Sequence, residues 1–316
     1  MSFNVAKFAL FLFTFVVFLL TSFVGLQWFS NRVVLVANAE KNVFTASLKS
    51  DFDNTENKNL SLPIDNGESS PKLPTVEISA QSALSMEFDG DGIKLLLQKD
   101  AQKILPIASL TKLMTALVVL ENYNLSEKIT ISQLAMDQEG EQGDLKLGQV
   151  FSVKGLLYVM LMESSNRASF SLAERLGRGS FIKLMNDRAV ALGLNNTQFQ
   201  DVSGLSSASY STASDLAILT NYLFKNYPLF REIISKKEYN LFLPDGLFHH
   251  RLINTNKFLG QSNIVGGKTG FTEAAGGCFM TIQQNQSEDS YRINIVLGAE
   301  DRFSEMQKII DSQGNN

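Results

Sequence analysis

The order of the secondary-structure patterns is the feature that most restricts the fold of this chain. Patterns typical of strands occur at both ends of the sequence beyond residue 75, and they lie at 76–85, 93–98, 264–272, 277–282 and 292–297. Patterns typical of helices fill the middle and the tail, at 109–123, 153–163, 167–176, 181–192, 214–226 and 302–311. This order predicts one antiparallel sheet that is built from both ends of the domain and covered by helices. The expected fold class is therefore α/β in the broad sense (α+β), with a helical subdomain.

The first 75 residues differ in composition from the rest. Residues 8–29 are almost wholly apolar and carry no charge, and as a helix they would span about 33 Å, enough for a bilayer core of about 30 Å. We expect a transmembrane signal anchor at 8–29 after a short N-terminal segment at 1–7, although the small-x-small sequence Ala37-Asn38-Ala39 leaves signal cleavage open. The charges that flank the anchor do not decide its orientation. Residues 30–75 are polar and aperiodic, which predicts a disordered linker. The globular domain is then 76–316.

Charge and ligand content argue against several classes of function. The formal net charge of -4 gives no indication of a nucleic-acid-binding surface. The single cysteine, Cys278, excludes an intramolecular disulfide. The two histidines, His249 and His250, are adjacent, whereas zinc sites draw their ligands from separated positions. We therefore expect no metal site, and we place both imidazoles in a surface turn after Pro244.

The sequence S-x-x-K occurs three times, beginning at Ser69, Ser109 and Ser180. The first lies in the linker, and the third opens an amphipathic helix, where we expect Ser180 to be the N-cap and Lys183 to be solvated. Ser109 instead begins a helix that is apolar nearly all round and should be buried. Positions i and i+3 share a helix face, and burial lowers the pKa of a lysine. Lys112 is therefore a candidate base for a Ser109 nucleophile.

Two further motifs are weaker when each is taken alone. Ser164-Ser165-Asn166 lies between two predicted helices, where it could also be a simple connecting turn. Lys268-Thr269-Gly270 lies in a predicted strand, where it could also be a glycine-rich hairpin edge. A lysine and a threonine can bind a carboxylate, and a strand glycine permits close approach of a ligand backbone. In this order, S-x-x-K, S-x-N and K-T-G form the signature of β-lactamases and penicillin-binding proteins.

Residues from about 76 to 311 resemble the low-molecular-mass penicillin-binding proteins, the serine D-Ala-D-Ala carboxypeptidases of peptidoglycan maturation. Further matching segments are Ala108–Leu117, Leu192–Leu194, Ser203–Leu205, Tyr210–Leu216 and Asn254–Asn256. The resemblance implies a β-lactamase/transpeptidase-like fold and removal of the terminal D-Ala from peptidoglycan stem pentapeptides, with β-lactams as covalent inhibitors and no cofactor. Its substrate also implies a single-pass protein of the cell membrane with a cytoplasmic N-terminus at 1–7 and an extracytoplasmic catalytic domain.

The resemblance assigns three catalytic roles. Ser109 attacks the carbonyl between two D-alanines, Lys112 takes its proton, and Ser164 helps to pass that proton towards the leaving amine. A DD-endopeptidase that cleaves cross-links would use the same motifs and remains an alternative. A β-lactamase is disfavoured, because no E-x-x-L-N-like segment lies between residues 166 and 268. A non-catalytic wall-binding protein is disfavoured because the motifs are intact.

The resemblance also assigns residues to substrate binding. Asn166 holds the peptide backbone, Lys268 and Thr269 engage the terminal carboxylate, and Gly270 lies on the same strand. The backbone N–H groups of Ser109 and Phe271 would form an oxyanion hole. Two residues depart from the usual pattern: Arg167 stands where an acidic residue commonly follows the asparagine, and Gly267 replaces a usual aliphatic residue.

Overall fold

The computed structural model of the protein describes residues 76–90, 92–140, 142–287 and 289–313. The predicted N-terminus at 1–7, signal anchor at 8–29 and linker at 30–75 lie outside these residues. Within the described ranges, no helix is both long and apolar enough to cross a membrane.

The strands and helices follow the predicted order closely. The strands are β1 (Ser82–Asp89), β2 (Gly92–Lys99), β3 (Leu105–Pro106), β4 (Lys128–Thr130), β5 (Val150–Ser152), β6 (Tyr210–Ser211), β7 (Glu238–Phe242), β8 (Phe248–Ile253), β9 (Ile264–Thr272), β10 (Gly276–Gln284) and β11 (Ser290–Ala299). The helices are α1 (Thr111–Asn122), α2 (Gln133–Met136), α3 (Val153–Met162), α4 (Asn166–Glu174), α5 (Arg178–Ala191), α6 (Ala213–Asn226), α7 (Pro228–Ser235) and α8 (Arg302–Ser312).

The main sheet confirms the prediction that both ends of the domain supply its strands. Its order is β2-β1-β11-β10-β9, and every neighbouring pair is antiparallel. β10 and β11 are buried along nearly their whole length because they lie inside the sheet with helices against it. β9, which carries the K-T-G motif, is an edge strand.

Helices α1 and α3 form the centre of the helical region. Nearly all side chains of both helices are buried, including polar ones such as Lys112 and Thr115. The predicted burial of the helix after Ser109 is therefore confirmed. On another side of the sheet, α8 packs Met306, Ile309 and Ile310 against Phe279 and Val296. The sheet is thus held between helices, and α1 brings its N-terminus next to the edge strand β9.

The structure corrects two local predictions. Helix α5 already begins at Arg178, after Gly177 with a φ of 78°, so Ser180 lies inside the first turn and is not the N-cap. Lys183 is exposed and pairs with Asp187, as expected for a solvated position. The histidines are not in a turn but in β8, part of the β7–β8 hairpin, which the sequence did not indicate.

This hairpin was missed because its residues do not alternate between apolar and polar side chains in the way a half-buried strand requires. Phe242, Phe248 and Ile253 are exposed, while His249 and His250 are half-buried. The predicted turn at Pro244 does connect the two strands. The segments on either side of this turn form strands because they pair with each other, although their sequences do not alternate as strand sequences usually do.

Candidate active site

Ser109 and Lys112 lie at the buried start of α1. Ser109 is in a single 3₁₀ turn, Ala108–Leu110, and Lys112 is in the first turn of α1. The Lys112 side chain is completely buried, and its Nζ lies 2.8 Å from Ser109 Oγ. The same Nζ lies 2.7 Å from Asn166 Oδ1 and 2.8 Å from the Ser203 carbonyl oxygen. Lys112 therefore joins the S-x-x-K and S-x-N motifs.

The contacts of Lys112 fit a neutral amine. Burial lowers its pKa to about 7, and the carboxylate of Asp201 opposes part of this effect. A neutral amine has two N–H groups and one lone pair. The two N–H groups can donate to the carbonyl oxygens of Asn166 and Ser203, which cannot donate themselves. The lone pair is then left for the Ser109 hydroxyl, which donates its hydrogen to Nζ, as a general base requires.

The backbone around Ser109 is tightly enclosed. Ala108 has a φ of 47°, in the left-handed region that residues other than glycine rarely occupy. A Cβ at Gly204 would lie 1.8 Å from the Ala108 carbonyl oxygen, and a Cβ at Gly270 would lie 2.9 Å from the Ser109 nitrogen. Both glycines are therefore required for packing against the turn that carries the nucleophile. Gly270 permits close approach of the Ser109 backbone, and the predicted approach of a ligand backbone stays a prediction.

Asp201 is a supporting residue that the sequence analysis missed. Its carboxylate accepts hydrogen bonds from Ser203 Oγ at 2.9 Å and from the backbone N–H groups of Gly204 at 2.8 Å and Leu205 at 2.9 Å. It thereby fixes the loop whose Ser203 carbonyl accepts from Lys112. An aspartate shortly before a Ser-Gly pair is typical of a side-chain-capped turn, and that signal could have identified it.

The S-x-N and K-T-G motifs meet on the other side of the site. Lys268 Nζ lies 2.8 Å from Ser164 Oγ and 2.9 Å from the Thr269 carbonyl oxygen. Lys268 is only 1% exposed. Burial holds its pKa well below its usual value, and the positive charges of Lys112 and Arg302 lower it further. Asn166 is the first residue of α4, and its Nδ2 donates to the Glu139 carbonyl at 2.8 Å.

The edge strand β9 places the remaining predicted residues beside this centre. Thr269 Oγ1 lies 2.7 Å from Thr255 Oγ1, and the Phe271 side chain is 59% exposed. Among the described residues β9 pairs with β10 alone, so its other edge can accept an extended peptide as an added strand. A Cβ at Gly267 would lie 2.6 Å from both Asn256 Nδ2 and the Met280 carbonyl oxygen. Local packing therefore explains why glycine replaces the usual aliphatic residue.

Arg302 is a second residue that the sequence analysis missed. It begins α8, and its Cβ would be 3.0 Å from a Cβ at Gly277, the β10 partner of Phe271. Its Nε is buried and has no hydrogen-bond partner in the described part of the chain. Its charge also contributes to the lowered pKa of Lys268. Arg302 is therefore an additional cation close to the carboxylate-binding side of the site.

Known proteins are similar to this chain in both sequence and fold. A family model described as D-alanyl-D-alanine carboxypeptidase, peptidase family S11, matches residues 66–301. A D-alanyl-D-alanine endopeptidase of Escherichia coli is 37% identical over 65% of this chain and 67% of its own length. The D-alanyl-D-alanine carboxypeptidase DacF of Bacillus subtilis is 30% identical over 75% of this chain and 63% of its own length.

The solved structures give the same result for the fold. The crystal structure of a Streptomyces DD-transpeptidase has a TM-score of 0.68 and 30% identity, and it covers 75% of this chain and 97% of its own. A penicillin-binding protein from Listeria monocytogenes, in the ampicillin-bound form, has a TM-score of 0.66 and 32% identity over 76% of this chain and 99% of its own. The predicted transpeptidase-like fold is confirmed. Sequence motifs, fold and relatives agree that the chain belongs to the D-alanyl-D-alanine carboxypeptidase family of serine peptidases.

Proposed function

We propose that the protein is a serine D-alanyl-D-alanine carboxypeptidase that removes the terminal D-Ala from peptidoglycan pentapeptides. One observation carries most of this proposal. Nζ of the fully buried Lys112 lies within 2.8 Å of two carbonyl oxygens and of Ser109 Oγ, so that in its neutral form it can donate to both carbonyls and accept the Ser109 hydrogen. A pure binding protein gains nothing from a desolvated lysine in this arrangement, whereas a serine nucleophile requires a base.

Acylation follows from these contacts. Ser109 Oγ forms a bond to the carbonyl carbon of the penultimate D-Ala while its proton moves to Lys112 Nζ. The carbonyl oxygen becomes an oxyanion, for which we assign the N–H groups of Ser109 and Phe271 as donors. When the C–N bond breaks, the leaving nitrogen takes up a proton through Ser164. The Ser164 hydroxyl is replenished from Lys112, so the proton count balances and free D-Ala leaves.

Substrate recognition uses the edge of β9. An extended peptide that pairs with this edge would bring its terminal carboxylate towards Lys268, Thr269 and Arg302. The Asn166 side chain lies between Lys112 and the Glu139 carbonyl, where it can contact the substrate backbone. Deacylation reverses the first step, since water donates its proton to neutral Lys112 as it attacks the ester on Ser109.

DD-endopeptidase activity is the second candidate. It is favoured by relatives named D-alanyl-D-alanine endopeptidase in Escherichia coli, at 37% identity, and in Pseudomonas aeruginosa, at 34% identity. The chemistry at Ser109 is the same in both activities. An endopeptidase differs in accepting a leaving amine that carries a second peptide chain, so that the leaving-group side must hold more than a single D-alanine.

The two activities are separated by their products. Purified protein is incubated with pentapeptide and with cross-linked muropeptides, and the products are identified by mass spectrometry. A carboxypeptidase releases free D-Ala and tetrapeptide, whereas an endopeptidase converts the cross-linked dimer into two monomers. A Ser109→Ala variant is the control for contaminating hydrolases. Exclusive cleavage of the dimer would replace the carboxypeptidase proposal with the endopeptidase one.

We further propose that the enzyme is a single-pass protein of the cell membrane with its catalytic domain outside the cytoplasm. The support is the uncharged apolar run at 8–29 and a substrate class that lies outside the membrane. The full chain should remain with membranes after a high-salt wash, and a protein that begins at Thr75 should be released. The mass of the mature N-terminus decides whether cleavage follows Ala39. Full-length, uncleaved protein in the wash would contradict the anchor.

A further inference from the structure

One carboxylate connects the catalytic turn to the β7–β8 hairpin. Glu163 directly precedes Ser164, and its side chain is 16% exposed. Its Oε1 accepts from the Ile253 backbone N–H at 3.2 Å, and its Oε2 lies 3.1 Å from His250 Nε2. Next to these contacts, the Thr255 backbone N–H donates to the Met162 carbonyl at 3.0 Å. The end of β8 and the residues after it therefore hold the turn between α3 and α4.

The turn needs such support because Ser164 is strained. Its φ is 65°, in the left-handed region, and a residue other than glycine stays there only when its surroundings determine its conformation. On the side-chain end, Ser164 Oγ is held at 2.8 Å by Lys268 Nζ. The residue before it, Glu163, is held by the two contacts that its carboxylate makes with Ile253 and His250.

The Glu163 carboxylate determines which nitrogen of His250 carries a hydrogen. A carboxylate can only accept, so His250 Nε2 carries a hydrogen and donates it to Glu163 Oε2. The Nδ1 atoms of His250 and His249 lie 2.6 Å apart, which leaves room for one hydrogen between them. Either His249 or His250 supplies this hydrogen, which joins the two rings. The His249 ring is itself held edge-on against Phe151, with ring centroids 5.1 Å apart.

We propose that Glu163 is a positioning residue for Ser164, and that it works because β8 holds it through the Ile253 N–H and His250. This inference rests on the proposed role of Ser164 in proton transfer. Ser164 Oγ contacts Lys268 Nζ, but Lys268 is buried and also donates to the Thr269 carbonyl at 2.9 Å, so that it keeps one support when Ser164 moves. Loss of Glu163 should therefore slow acylation more than it weakens the preceding non-covalent complex.

The conservative variant Glu163→Gln should retain most of the acylation rate. Its side-chain oxygen can still accept from the Ile253 N–H, and its NH₂ group can donate to His250 Nε2. The shared hydrogen then belongs to His250 Nδ1, and His249 Nε2 donates to Gln149 Oε1, which already lies 3.3 Å away. Every donor in the chain of contacts keeps an acceptor. Glu163→Ala removes both contacts and has no such alternative.

The test measures acylation by a chromogenic β-lactam in rapid mixing, which separates the acylation rate constant from the dissociation constant of the first complex. Glu163→Ala should lower the rate constant by about tenfold to a hundredfold, the cost of a misplacement of about 1 Å, with a clearly smaller change in the dissociation constant. His250→Leu, which keeps the Ile253 contact, should cause a smaller loss in the same constant. Glu238→Ala is the matched control, since Glu238 is an exposed carboxylate paired with Arg251 on the same hairpin.

Several outcomes would overturn the inference. These are a folded Glu163→Ala protein that acylates at the wild-type rate, a Gln variant no better than the Ala variant, or equal losses in rate and affinity. If Glu163→Ala does not fold, the Gln and Leu variants still decide the matter through the same rate constant. Failure of the proposed function is recognised separately, because the wild-type protein would then not be acylated on Ser109 at all.

Discussion

The site contains two lysine–serine pairs that have the same separation and different origins. Lys112 and Ser109 are three residues apart on one helix, and Lys268 and Ser164 are 104 residues apart. In both pairs Nζ lies 2.8 Å from Oγ, and in both the lysine is almost completely buried. Burial is also the main cause of the lowered pKa of each lysine.

The surroundings of the two lysines divide their roles. Lys112 faces two carbonyl oxygens that occupy both N–H groups of its neutral form, so its lone pair is directed to Ser109. Lys268 contacts Ser164 Oγ and the Thr269 carbonyl, both beside the edge of β9. Equal distances therefore do not mean equal functions. We infer that one pair removes a proton and that the other holds a hydroxyl and a ligand at a sheet edge.

Removal of the Ser109 hydroxyl should have the largest effect, and it tests whether the two lysine–serine pairs have different functions. A β-lactam resembles the D-Ala-D-Ala bond, so wild-type protein should gain the mass of one penicillin on the peptide that contains Ser109. Ser109→Ala should gain none, because Ser164 lies against a lysine that serves a different purpose. Ser180, in its own S-x-x-K sequence, provides an internal control within the described residues. Label on Ser164 or Ser180, or unchanged labelling of the variant, would contradict the assignment of Ser109.

Removal of the base should have the next largest effect. Lys112→Ala should slow acylation by about 10²- to 10⁴-fold, the usual contribution of general-base catalysis. Lys183→Ala is the matched control, because Lys183 occupies the equivalent place in a surface S-x-x-K sequence and pairs with Asp187 in solvent. Progress is followed by the loss of β-lactam absorbance. A rate for Lys112→Ala within a few-fold of wild type would remove Lys112 from the mechanism.

The pH dependence of acylation should show whether neutral Lys112 is required. Lys112 acts only when neutral, and its pKa is lowered to about 7. The acylation rate should therefore fall about tenfold per pH unit below 7 and level off above it, giving about a hundredfold loss at pH 5. The profile is measured by rapid mixing in buffers of constant ionic strength. A flat profile between pH 5 and 8 would show that neutral Lys112 is not required.

Loss of Lys268 should affect recognition more than proton removal. A charge-assisted hydrogen bond contributes about 1.5–3 kcal/mol, or about 10- to 150-fold in affinity. Lys268→Ala should therefore discriminate poorly between a D-Ala-D-Ala peptide with a free carboxylate and the same peptide as its amide. The ratio of kcat/KM for the two peptides is the measurement. A variant that kept the full preference for the free acid would assign carboxylate binding elsewhere, with Arg302 as the next candidate.

The sequence predicts the local pair far better than the distant one. The spacing of Ser109 and Lys112, together with the apolar residues around them, fixes a buried helix face, and the structure confirms that helix. For Ser164 and Lys268, residues 104 positions apart, the sequence offers only short motifs and a family resemblance. Their meeting depends on the sheet order and on a left-handed backbone at Ser164, neither of which has a local pattern.

Supporting residues were missed for the same reason. Asp201 acts through a loop that must first be folded, and Arg302 comes close to the site only because the start of α8 packs against the start of β10. The β7–β8 hairpin lacks alternation, so His249 and His250 were expected in a turn. Their contacts with each other and with Glu163 come from strand pairing and from packing against α3, which no window along the sequence contains.

Thiol reagents and chelators should have the smallest effect. Cys278 pairs with Gly270 across β10 and β9, which places a third potential nucleophile next to the Ser109 turn. Burial raises the pKa of its thiol to about 11, and its side chain is fully enclosed, so almost no thiolate forms at neutral pH. Among the described residues, no group of three or more His, Cys, Asp or Glu side chains could hold a metal ion. Acylation of Ser109 should therefore proceed at the same rate after treatment with iodoacetamide or with EDTA. Inactivation by EDTA that added zinc reverses would replace the lysine-activated serine with a metal-dependent mechanism, and inactivation by iodoacetamide would show that Cys278 is accessible.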